Sequence, residues 1–105
     1  MSREQLPGST ETLIMRLLQE KDMYGYEMVT ELARRSNNEF ALKEGTLYPL
    51  LHLLEKQKVV ESYDERVDNR TRRYYHLTET GRARLEEKKE EWTRYASAVS
   101  AILCS

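Results

Sequence analysis

EGTLYPLLHLLEKQKVV, residues 44–60, decides the fold. Leu47, Leu50, Leu51 and Leu54 follow the i, i+3, i+4, i+7 spacing of one helical face. Pro49 stands inside that pattern, although proline in a helix interior removes a hydrogen bond and costs ~3 kcal/mol. In the first turn the backbone N–H groups have no intrahelical partner, and proline is tolerated there. Pro49 therefore reads as a start marker. On this reading Gly45 or Thr46 caps the helix, and Gly45 lets the backbone bend sharply into it.

Upstream, Pro7-Gly8 reads as a turn and Ser9 as an N-cap. Leu13, Ile14, Leu17 and Leu18 then share one face of a first helix that ends near Lys21-Asp22. A second helix follows Tyr24-Gly25, with Met28, Val29, Leu32 and Ala33 as its apolar face, and Ser36-Asn37-Asn38 closes it as loop chemistry. Downstream, VVESY and RRYYHL are β-prone, and DERVDNRT between them reads as a long polar tip without glycine. Thr78 reads as the N-cap of a last helix. Residues 82–103 contain no breaker and span ~33 Å at about 1.5 Å per residue. Leu85, Trp92 and Val99 recur every seven positions, as do Lys89, Ala96 and Leu103. This is a heptad seam.

The order helix, helix, helix, hairpin, long helix predicts a mainly α (α+β) fold. It is a winged helix-turn-helix with a two-stranded β wing and a long C-terminal dimerisation helix. On this reading residues 1–78 are expected to form the DNA-binding part and residues 79–105 the dimerisation helix. That helix is too long and one-sided for so small a body to cover, so a second copy is expected against it.

Composition narrows the class. The chain has 105 residues, enough for one modest core. No run approaches the roughly 18 apolar residues of a membrane span. The first apolar cluster, LIMRLL, is interrupted by Arg16, unlike a secretory signal. The single Cys104 cannot form an internal disulfide, which fits a reducing, cytoplasmic setting. A formal net charge of -1 rules out a uniformly basic surface, so any nucleic-acid contact must be local. Arg70, Arg72 and Arg73 form the densest basic cluster, and Lys43, His52, Lys56 and Lys58 surround the third helix. Local patches of this kind suffice for phosphate contacts.

Four pieces together resemble the PadR-like transcriptional regulators: MYGYE at 23–27, EGTLYPLLHLLE at 44–55, RRYYHLTETGR at 72–82, and the long C-terminal helix. The likeness runs from about Ser9 to the end. The single short C-terminal helix is similar to the small branch of that family, including its multidrug-sensing type, which carries a tryptophan where Trp92 falls. The resemblance implies a repressor that binds double-stranded DNA as a homodimer, and a ligand site near Trp92. Family members that take cationic drugs carry a carboxylate about one turn after the tryptophan. Here Tyr95-Ala96 occupy that region, and Glu11 of the first helix is the acid that would have to substitute.

The expected DNA contacts are Lys43, Gly45, Thr46, Tyr48, His52, Lys56, Arg70, Arg72 and Arg73. Tyr48 reads equally as a half-buried core tyrosine. Trp92, Ala96 and Glu11 are the expected ligand contacts for a small aromatic or hydrophobic compound, against the plainer reading of Trp92 as seam packing. Leu85, Trp92, Val99 and Leu103 are the expected dimer interface. No metal or cofactor is expected, because His52 and His76 lie far apart and no cysteine or carboxylate cluster joins them. There is no glycine-rich phosphate loop, no H-E-x-x-H and no nucleophile beside a base, so an enzyme is not expected. The competing class is a helical adaptor that does not bind DNA.

Overall fold

A computed structural model describes residues 9–105. The Pro7-Gly8 turn lies outside the described residues. Helix α1 spans Thr10–Glu20, a short strand β1 Met23–Tyr24, α2 Gly25–Arg35 and α3 Glu44–Lys56. Strands β2 (Val60–Val67) and β3 (Arg70–Leu77) form the wing, and α4 runs over Glu79–Leu103.

The periodic apolar residues make the core. Ile14, Leu17 and Leu18 of α1, Met28 and Leu32 of α2, and Leu47, Leu51 and Leu54 of α3 are all buried. Met23, Val59, Val60, Tyr75, Leu77 and Leu85 complete the cluster.

Of the four described helices only α4 is capped at its N-terminus by a side chain. The Thr78 hydroxyl accepts from the Gly81 N–H at 3.0 Å and donates to the Lys58 carbonyl at 2.7 Å, so the cap of α4 also ties it to the end of α3. A Cβ at Gly81 would collide with the Val59 carbonyl oxygen, and only glycine permits this approach. Both α2 and α3 end in Schellman geometry. Asn38 N–H bonds the Ala33 carbonyl at 2.8 Å, and Val59 N–H bonds the Leu54 carbonyl at 3.1 Å. Asn37 (φ 57°) and Lys58 (φ 64°) hold the left-handed positions.

The sheet has three antiparallel strands in the order β1-β3-β2, one more than expected, because Met23 and Tyr24 pair with Tyr75 and Tyr74. The hairpin is also longer than its sequence suggests. Val67 pairs with Arg70, leaving only Asp68 and Asn69 as the turn. Their φ values of 52° and 63° are those of a type I′ turn, in which Asp and Asn replace glycine. The expected eight-residue tip is therefore mostly strand.

Helix α4 starts inside the body: Gly81 and Leu85 are buried. Leu85 has no accessible surface, so it leaves the expected dimer interface and belongs to the protomer's own core. Beyond it the helix stands free of the core, and the molecule measures 56 Å along its longest axis.

Candidate nucleic-acid interface

Helix α3 begins two to three residues earlier than expected, with Lys43 and not Gly45 or Thr46 as N-cap. Gly45 lies within the helix, so no sharp bend at this glycine is needed. Pro49 falls in the second turn, where its missing N–H deprives the Gly45 carbonyl of a partner. Both residues are exposed, so solvent can hydrate that carbonyl. At 100° per residue, Gly45, Pro49, His52 and Lys56 lie opposite the buried Leu47, Leu51 and Leu54. All four are exposed. Nothing lies within 4 Å of a Cβ built at Gly45, so this stripe starts flat and open. Lys43 and Thr46 are exposed at the helix front, where no side chain caps the free N–H groups. That end carries positive dipole charge, partly offset by Glu44 in the first turn.

Tyr48 is 44% exposed, and its hydroxyl edge rests against Gly25, where a Cβ would lie 2.5 Å from the oxygen. The glycine at the start of α2 thus seats the tyrosine. Its ring packs between α2 and α3, and one edge remains open.

Period-two alternation divides the arginines that looked like one cluster. Arg70 and Arg72 share the outer face with Tyr74 and His76, while Arg73 shares the other face with Tyr75 and Leu77. Arg72 lies 4.5 Å above the Tyr24 ring centroid, a cation–π contact. Arg73 donates to Asp64 Oδ1 at 3.2 Å, which raises its already high pKa further. Arg66, absent from the expected contacts, faces the same side as Arg73 because it pairs with Thr71. Recognising Asp68-Asn69 as the turn fixes that register and would have found it. Lys43, Lys56, Arg66 and Arg70 enter no ion pair among the described residues.

Several charges on α1, α2 and α4 neutralise one another. Arg35 bridges Glu20 at 2.7 Å and Glu31 at 2.9 Å. Arg16 also reaches Glu20, and Arg34 reaches Glu31. The guanidinium hydrogen bonds hold both carboxyls down at about 2. Lys21 pairs with Glu27, Lys88 with Glu91 and Lys89 with Glu86. Arg82, Arg84 and Arg94 of α4 enter no ion pair among the described residues either, and the acids Glu61, Glu65 and Asp68 stand on the wing, so the cations near α3 and the wing tip form small local patches within a chain of net charge -1.

The free part of α4 carries apolar residues. Trp92 is 48% exposed, Tyr95 46%, and Ile102 and Leu103 76% each. The Trp92 and Tyr95 ring centroids are 6.1 Å apart. Ala96 and Val99 are half-buried along the same helix. Within one protomer Glu11 lines a cleft of about 270 Å³ with Arg84 and Lys88, and Trp92 does not line it. His52 is exposed, whereas His76 Nδ1 lies 2.8 Å from Asp22. Among the described residues no group of three or more His, Cys, Asp or Glu could hold a metal. No helix there is long and apolar enough to cross a membrane.

The profile of the transcriptional regulator PadR-like family matches residues 14–87. A PadR-like transcriptional regulator from Bacillus cereus superposes with a TM-score of 0.84 at 31% identity, over 97% of this chain and 98% of that one. A PadR family transcription regulator from Clostridium difficile gives 0.74 at 37% identity, over 90% and 97%. A transcriptional regulator of Mycobacterium tuberculosis is 35% identical over 80 residues, 76% of this chain and 72% of its own length. The chain belongs to the PadR-like family, whose members are transcriptional regulators rather than enzymes.

Proposed function

We propose that the chain is a sequence-specific, double-stranded-DNA-binding repressor that acts as a homodimer in the cytoplasm. The observation that carries this reading is the exposed stripe Gly45–Pro49–His52–Lys56, opposite the buried leucines of α3 and flanked by unpaired cations. The stripe would enter the major groove, with His52 and Lys56 at base edges or phosphates. The open helix front at Lys43, Gly45 and Thr46 would meet a phosphate, as would the free edge of Tyr48. Arg66 and Arg70 at the wing tip would contact the backbone beside it. Arg72 and Arg73 already hold partners within the chain, so they would contribute less than their charge suggests.

Residues 1–78 carry the DNA contacts and residues 79–105 the dimer contacts, with Leu85 anchoring the second part to the first. Trp92, Val99 and Leu103 would pack against the partner's helices. A small aromatic or hydrophobic ligand would sit beside Trp92 and Ala96 at the two-fold axis. It would release DNA only by favouring the non-binding spacing of the two α3 helices. Glu11 would reach such a ligand only across the dimer.

Binding to a fragment of the chain's own promoter, against a scrambled fragment, tests the main reading. Specific binding that weakens as salt rises supports it. Equal binding to both fragments overturns sequence specificity, and no binding to either supports a helical adaptor.

A further inference from the structure

The core holds only the base of the hairpin. Val60, Tyr75 and Leu77 are buried, but from Tyr63 to Arg72 every residue except the half-buried Val67 and Arg72 is exposed. Core packing alone therefore leaves the direction of the wing poorly determined. On the inner face one bond helps: the Ser62 hydroxyl donates to Glu55 of α3 at 2.6 Å. The outer face carries a larger construction, of which the Arg72–Tyr24 and His76–Asp22 contacts are two parts.

Asp22 sits in the turn between α1 and β1. Its Oδ2 accepts from the Tyr63 hydroxyl at 2.6 Å, and its Oδ1 meets His76 Nδ1 at 2.8 Å. One carboxylate thereby grips both long strands of the wing. From there the contacts run outward. Tyr63 stacks on Tyr74 with centroids 5.8 Å apart, and Tyr74 meets the Tyr24 ring edge-on at 5.6 Å. Arg72 lies over Tyr24. Partial burial pushes the Asp22 carboxyl up, but the bonds from Tyr63 and His76 outweigh it and hold the group below the usual carboxylate range. The charged acceptor in turn pushes the Tyr63 hydroxyl up to about 12. Hydrogen bonds to an ionised acceptor are roughly twice as strong as neutral ones.

We propose that Asp22 is the positioning residue of the wing. It locks the hairpin base to the α1–β1 turn and so fixes the angle at which Arg66 and Arg70 are presented beside α3. The consequence for DNA rests on the DNA-binding reading above; the effect on the wing does not.

The test uses the full chain with Asp22→Ala, and Tyr63→Phe as a milder variant that keeps the ring stack. Amide hydrogen exchange is followed across residues 62–76, and binding to the promoter fragment is measured with and without Arg70→Ala. Hairpin amides should exchange several-fold faster in both variants, while α1 and α3 core amides stay as in wild type. Promoter affinity should fall about tenfold in Asp22→Ala. Arg70→Ala should cost less there than in the wild-type background, because a misdirected wing has less contact to lose. Unchanged hairpin exchange in both variants, or equal Arg70→Ala losses in the two backgrounds, overturns the proposal. If the wild type binds no promoter DNA while exchange still rises in the variants, the DNA reading falls and the brace stands.

Discussion

Arg66 and Arg70 flank the wing turn and carry no internal partner, whereas Arg72 and Arg73 are held by Tyr24 and Asp64. Sequence density alone ranked these side chains differently. The distinction is testable, because each phosphate contact contributes about 0.9 to the slope of log K against log salt. Arg66→Ala with Arg70→Ala should flatten that slope more than Arg72→Ala with Arg73→Ala does. The opposite ranking in a salt titration would show that the internal partners release their arginines to DNA. A second residue-scale prediction concerns Lys58, held at φ 64° where α3 ends. A left-handed residue with a Cβ costs roughly 1–2 kcal/mol, and glycine gives back part of that in unfolded-state entropy. Lys58→Gly should therefore raise stability by of order 0.5 kcal/mol in urea unfolding. A loss would mean that the lysine stem packs usefully.

Helices α1 and α2 are joined by the Glu20–Arg35–Glu31 network, and its pH behaviour follows from the signs. Hydrogen bonds from Arg35 and Arg16 depress the Glu20 carboxyl from 4.5 to about 2. A depressed folded-state value adds stability that is complete above the unfolded value and lost as pH falls through the folded one. Wild type should therefore melt higher than Glu20→Gln at pH 7, and the gap should close between pH 4.5 and about 2. Thermal melts at pH 7, 4 and 2 check this; a gap that persists at pH 2 would assign the difference to something other than the charge. The same scale explains what was legible in the sequence. The three leucine-type faces and the Thr78 cap are dictated by local periodicity and hydroxyl chemistry, and they lie where expected. The wing turn escaped because Asp68-Asn69 reaches positive φ without glycine. Strand β1 escaped because two residues leave no alternation to read. Leu85 was misplaced because heptad spacing shows that a face is apolar, not which neighbour covers it.

For the whole molecule, the unresolved balance lies along α4. A lone helix exposing Trp92, Tyr95, Ile102 and Leu103 leaves apolar area in water, and burying it against a second copy yields roughly 25 cal/mol per Å². Val99→Asp places a charge in that seam and should shift the chain toward monomer while the winged body, whose core ends at Leu85, keeps its fold. Sedimentation of an intact Val99→Asp dimer at micromolar concentration would place the interface elsewhere. Dimerisation and DNA binding are linked in this account, since a near-neutral monomer offers only one small cationic face and a dimer offers two. The most direct measurement is the stoichiometry of the full chain on a labelled fragment of its own promoter, by sedimentation velocity at low salt. Two chains per duplex, in a complex that dissociates as salt is raised, is the predicted result. DNA that sediments as free duplex at every protein concentration, or that carries a single chain, would contradict the account.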